Sequence, residues 1–177
     1  MEWYRKILLF FFVVMLIPAG SKNLLAQNGN EFAFDRITSE NIILRKGLSQ
    51  NTIYCLMEDS QGYLWFGSWD GLNKYDGYNF TIYNKHNGLS NETINAIIED
   101  ESGRIWIGTE NGLNSLDKRT GKITVYQSIA GDSATLSGSW INYLLQDKSG
   151  QILICTNNGL NVLNFNTGII SKYQNDR

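Results

Sequence analysis

One pattern written three times constrains this chain more than anything else in it. Asp59, Asp100 and Asp147 recur at intervals of 41 and 47 residues, and the same two intervals relate Gly62, Gly103 and Gly150, then Gly71, Gly112 and Gly159. Trp65, Trp106 and Leu153 fall in the same register, as do Leu48-Ser49, Leu89-Ser90 and Leu136-Ser137. The triplet Gly-Leu-Asn closes each copy, at Gly71, Gly112 and Gly159. Self-similarity at a period of about 40 residues marks a chain assembled from one supersecondary unit that buries its apolar faces against its neighbours.

The columns say what that unit is. Thr52 to Met57, Thr93 to Ile98 and Trp140 to Leu145 are short, mostly apolar runs, as expected of a strand buried on both faces. Each leads into Asp-x-x-Gly, which places Asp first and Gly fourth in a type I turn, so Asp59, Gly62, Asp100, Gly103, Asp147 and Gly150 read as turn residues. A second strand follows, Tyr63 to Phe66 and its copies. Asp70-Gly71, Asn111-Gly112 and Asn158-Gly159 then give the hairpin signature, with Gly71, Gly112 and Gly159 as structural glycines. A third strand from Leu72 and a fourth, Phe80 to Tyr83, complete the unit. The reading is all-β: three four-stranded antiparallel meanders, each a β-propeller blade, at residues 47–87, 88–135 and 136–177, preceded by a leader segment 28–46 that holds a lone strand, Phe32 to Thr38.

Composition narrows the class further. Seventeen Gly against one Pro fit many tight turns and not a collagen triplet. A net charge of -2 argues against an electrostatic nucleic-acid binder. Residues 1–27 read as a signal peptide: Arg5-Lys6, then the apolar run Ile7 to Ile17, too short to span a bilayer, then Pro18. The chain is therefore expected to be exported, to a periplasm, with no membrane insertion of its mature part. Cys55 and Cys155 read as small buried apolar residues and not as a disulfide framework.

Trp69-Asp70 spells the dipeptide of WD40 propellers, but its copies are Glu110-Asn111 and Asn157-Asn158. The fuller pattern, Asp100-Glu101-Ser102-Gly103-Arg104-Ile105-Trp106-Ile107-Gly108-Thr109 followed by Gly112-Leu113-Asn114, resembles the two-component regulator propeller repeat. Blade 1 matches nearly as well. Blade 3 departs, with Leu153 for the tryptophan and Cys155 for the glycine. The resemblance implies the periplasmic sensor of a hybrid histidine kinase, which often detects an oligosaccharide. It also implies that Phe32 to Thr38 would close a ring from its far end. Propellers have about 4–8 blades, so three form an incomplete one. The chain is expected to be the N-terminal piece of a longer sensor, completed by further blades or by self-association.

No catalytic group, metal site or cofactor is expected. His86 is the single histidine and sits in a polar loop. Strands alternate in direction, so the inter-blade connectors and the turns between second and third strands share one rim, opposite the Asp-x-x-Gly turns. That rim gathers the candidate ligand-binding residues Trp69, Asp70, Glu110, Asn111, Trp140, Asn157 and Asn158, where flat rings beside amides and carboxylates suit a saccharide. The competing explanation is that Asp and Asn serve turns needing positive φ. Two other functions share the fold: a scaffold for protein partners, and a fragment of a secreted propeller lyase or glycosidase.

Overall fold

The computed structural model describes residues 47–165 and 167–175; the signal peptide at 1–27 and the lone strand Phe32 to Thr38 lie outside the described residues. Within them the chain forms twelve strands in three antiparallel sheets. Blade 1 holds β1 (Ile53–Glu58), β2 (Leu64–Ser68), β3 (Gly71–Tyr75) and β4 (Phe80–Tyr83). Blade 2 holds β5 (Ile94–Glu99), β6 (Ile105–Thr109), β7 (Gly112–Leu116) and β8 (Ile123–Tyr126). Blade 3 holds β9 (Ile141–Gln146), β10 (Ile152–Thr156), β11 (Gly159–Asn164) and β12 (Ile169–Tyr173). Strands are neighbours in chain order in every sheet, so each is a meander. No helix of the described residues is long and apolar enough to cross a membrane.

The hairpin between the second and third strands corrects the sequence reading in one respect. Gly71, Gly112 and Gly159 are the first residues of β3, β7 and β11, paired with Ser68, Thr109 and Thr156, so the two turn residues are Trp69-Asp70, Glu110-Asn111 and Asn157-Asn158. Among the described residues no non-glycine has positive φ, whereas these glycines lie at 111°, 126° and 111°. Asp and Asn are therefore not held there by a need for positive φ. Glycine is doubly required, because a Cβ on Gly112 would stand 2.7 Å from the Tyr126 carbonyl oxygen.

The blades pack face to face. Trp65 and Leu72 of blade 1 bury against Ile94, Ile97 and Ile107 of blade 2. Trp106 and Leu113 of blade 2 bury in the same way against Ile141, Leu144 and Ile154 of blade 3. Each indole removes roughly 200 Å² from water, on the order of 5 kcal/mol at about 25 cal/mol per Å². Gly67 and Gly108 make the notch that lets the sheets approach: a Cβ there would lie 2.8 and 2.6 Å from the Cγ2 of Ile94 and Ile141.

Burial on both faces holds for β2, β3, β6 and β7 but not for every first strand. Tyr54 and Leu56 on β1, and Tyr143 and Leu145 on β9, are exposed. The reason is position: blade 2 is covered by a described blade on each side, while blades 1 and 3 have one such neighbour. Cys55 and Cys155 are both free and half-buried.

A polar triad repeats inside each blade, and the sequence reading had not joined its columns. In blade 2 the Ser90 amide donates to Asn114 Oδ1 at 2.8 Å, Asn114 Nδ2 donates to Ser90 Oγ at 2.9 Å, and Ser90 Oγ lies 3.0 Å from Thr109 Oγ1. Ser49, Ser68 and Asn73, and Ser137, Thr156 and Asn161, repeat it. The buried asparagine in each Gly-Leu-Asn thus ties the incoming connector to its own sheet.

Candidate functional site

The connectors and the second-to-third-strand turns do share a rim, because they are bonded to each other. Gly71 N donates to the Glu92 carbonyl at 2.8 Å, and Gly112 N donates to the Ser139 carbonyl at 2.7 Å. Within blades, Glu110 N donates to the Thr93 carbonyl and Asn157 N to the Trp140 carbonyl. The turns themselves are pinned from inside. Ser68, Thr109 and Thr156 each donate a hydroxyl to the carbonyl of the following glycine and accept from the amide of Asp70, Asn111 or Asn158.

This scaffold presents two bare indoles. Trp69 is 56% exposed and Trp140 is 45% exposed. Asp70, Asn111, Asn157 and Asn158 are exposed beside them, and Glu110 is half-buried. Trp140 and Asn157 are brought together through the backbone bond between them. The polar residues are not equally free. Asn158 Nδ2 donates to the Ser137 carbonyl at 2.8 Å, and the Asn111 and Asn158 carbonyls accept from Gln127 and Gln174. Asn158 is thus committed to the loop, while Trp69, Trp140 and Asp70 keep their faces to solvent.

A feature of this rim escaped the sequence reading. The extra residues between Tyr126 and Leu136 fold into a loop that walls a hollow of about 340 Å³ over blade 3, lined by Ile129, Asp132, Ser137, Asn158, Lys172 and Gln174. Thr135 Oγ1 accepts from the Ile129 amide, and Lys172 donates to the Asp132 carbonyl at 3.0 Å, closing the loop on the sheet. The longer interval before the third copy, 47 residues against 41, does not by itself show that its extra residues wall a hollow.

The opposite rim carries the Asp-x-x-Gly turns. Asp59 Oδ1 accepts from the Gln61 and Tyr63 amides at 3.0 Å, as a type I turn requires. Its other oxygen accepts from Trp65 Nε1 at 2.9 Å, and Asp100 does the same with Trp106 at 2.7 Å. Asp147 keeps the turn bonds but has Leu153 in place of the indole. Lys118 then crosses from blade 2 to blade 1, donating to Asp59 at 3.1 Å and to Glu99 at 2.5 Å. Burial raises the Asp59 carboxyl, but the Trp65, Tyr63, Lys118 and Gln61 donors outweigh it and hold it below the usual range. Burial likewise depresses Lys118, and its two carboxylates more than restore it, leaving the ammonium raised. These acids are spent on structure. His86 is exposed on a short 3-10 turn, Lys85–Asn87.

The comparisons agree with this geometry. The family model described as two component regulator propeller matches residues 47–70 and 88–111. A protein called histidine kinase P4 from Formosa agariphila is 40% identical over 75 residues, which are 42% of this chain and 5% of that protein. The extracellular domain of a hybrid two-component system from B. thetaiotaomicron superposes with a TM-score of 0.69 at 29% identity, over 74% of this chain and 19% of that one. Virginiamycin B lyase from Staphylococcus aureus shares the fold, with a TM-score of 0.57 at 19% identity over 73% of this chain and 44% of that one. The chain therefore spans a small part of the length of the proteins it resembles.

Proposed function

We propose that this chain, two of whose repeats match the two component regulator propeller model, contributes its blades to the exported ligand-sensing ectodomain of a signalling receptor. They detect an oligosaccharide on the rim that carries Trp69 and Trp140 and perform no chemistry themselves. The observation that carries the reading is the likeness, over 74% of this chain, to the extracellular domain of a hybrid two-component system. The rim supports it chemically. Two exposed indoles offer stacking surfaces for sugar rings, Asp70 and Asn157 offer hydrogen-bonding groups for hydroxyls, and the hollow under Ile129 is large enough for about one sugar unit.

The experiment is a glycan-binding screen on the purified chain, read by tryptophan fluorescence and calorimetry. A bound oligosaccharide should lose about tenfold or more in affinity in Trp69→Ala or Trp140→Ala, on the basis of one lost stacking contact of roughly 1.4 kcal/mol. Absence of any glycan ligand, or binding that ignores both substitutions, would overturn the reading. Release of a cleaved product would replace it with an enzyme.

A further inference from the structure

A cleft lies on the other rim, between blades 1 and 2. This open cleft has a volume of about 590 Å³ and is lined by Ser60, Gln61, Ser102, Arg104, Asp117, Lys118 and Arg119. Three turns build it: β1 to β2, β5 to β6 and β7 to β8.

The inventory of its charges is uneven. Asp59 is saturated by two amides, an indole and Lys118. Glu99 accepts from the Ser60 amide, the Ser60 hydroxyl and Lys118. Asp100 accepts from the Ser102 amide and hydroxyl, the Arg104 amide and Trp106. Asp117 Oδ1 accepts from the Arg119 and Thr120 amides. Lys118 is paired with two carboxylates, Asp59 and Glu99. The guanidinium groups of Arg104 and Arg119 make no side-chain hydrogen bond and no ion pair within 4.0 Å among the described residues, although the charge of Arg119 acts on the neighbouring Asp117 carboxylate. Asp59, Glu99 and Asp100 are bonded to other donors, and Asp117 is the carboxylate that acts on Arg119.

We propose that this cleft is a binding site for an oxyanion, a carboxylate, sulfate or phosphate group, gripped by Arg104 and Arg119. Guanidinium forks match the paired oxygens of such groups and bind them with charge-assisted hydrogen bonds. A cleft of this volume has room for the anion and for a sugar ring bearing it. The site is separate from the indole rim and does not depend on how that rim is used.

The test is titration of the purified chain, at ionic strength held constant with sodium chloride, with sodium sulfate, sodium phosphate, sodium glucuronate and glucose, followed by amide NMR shifts and calorimetry. The expected result is saturable binding of at least one anion, with shifts at Ser60, Gly103 and Arg119, and no binding of glucose. Arg104→Ala with Arg119→Ala should weaken it about tenfold or more, Lys at both positions should retain part of it, and Asp117→Asn should tighten it. Neither arginine side chain makes a hydrogen bond or an ion pair within 4.0 Å among the described residues, so the thermal midpoint of the double variant should stay near that of the parent, and Trp69→Ala should leave anion binding unchanged. Glucuronate binding more tightly than sulfate or phosphate would assign the site to an acidic saccharide, and equal or weaker binding to a free anion. Equal titration of the double variant and the parent, or equal binding of glucose, would overturn the proposal.

Discussion

Asp59 is only 4% exposed, yet its carboxyl is held below the usual aspartate range. Burial alone would raise it, so its four donors contribute more than its desolvation costs. A group whose folded pKa is depressed contributes stability above its unfolded value near 4, and that contribution is lost as pH falls through the folded value. Asp59→Asn should therefore lower stability at pH 7 by about 1–3 kcal/mol, since Trp65 and Lys118 lose a charged partner. It should also flatten the fall in stability below about pH 4, as read from urea unfolding at a series of pH values. An unchanged acid limb would mean that the carboxylate is not linked to folding. The sequence made Asp59 and Asp100 legible as turn residues, because Asp-x-x-Gly encodes the bonds of one oxygen. The second oxygen's indole partner was missed, although Trp65 and Trp106 stand six residues after each Asp. Lys118 was not legible at all: it sits in a turn whose length differs between copies, so no column marks it.

At the scale of the strand and turn, the repeat specified nearly everything, and its errors have a local cause. Strand order and hairpins follow from glycine spacing, while assigning Gly71 to the turn and not to β3 came from reading Asp-Gly as a pair with two positive φ values. In the fold the left-handed geometry falls on the glycine alone. Two glycines of blade 2 then separate the two demands made on such residues. Gly112 has φ 126° and no room for a Cβ, with Tyr126 O at 2.7 Å, whereas Gly121 has φ 71° and nothing within 4 Å. Gly121→Ala should cost only the left-handed penalty, about 1–2 kcal/mol. Gly112→Ala must also push β8 away from β7, and should cost about 3 kcal/mol or more. Chemical denaturation of both variants measures the difference, and equal losses would mean that φ alone explains the column. The triad of Ser90, Thr109 and Asn114 was present in the sequence as three separate columns. Only the fold shows that residues 24 and 19 apart meet.

Across the whole molecule, the third blade differs from the others where it faces outward. Gly67 and Gly108 are notches filled by Ile94 and Ile141 of the following blade, whereas the same place in blade 3 holds Cys155, paired with Tyr143, which is 61% exposed. A face of this kind cannot receive an isoleucine as the other two do, because the cysteine's Cβ occupies the space. Blade 1 offers Ile53 in the column of Ile94 and Ile141, so a second copy stacked in the same geometry would meet that obstruction. The sequence had flagged Leu153 and Cys155 as departures, but their consequence needed the distances. If the notch is what seats each blade, moving the cysteine inward should break a joint that it leaves intact at the edge. Gly108→Cys should destabilise the chain by about 2–3 kcal/mol through overpacking against Ile141, while Cys155→Gly should change stability by less than about 1 kcal/mol. The native thiols provide a second readout from the same principle. Burial pushes the Cys55 thiol up to about 12, and its sulfur is packed between blades 1 and 2, so a thiol reagent should label it only on unfolding. Cys155, on the open face, should be labelled in the folded chain. A neutral Gly108→Cys, or labelling of both cysteines at one rate under native conditions, would show that blades 1 to 3 are not seated through these notches.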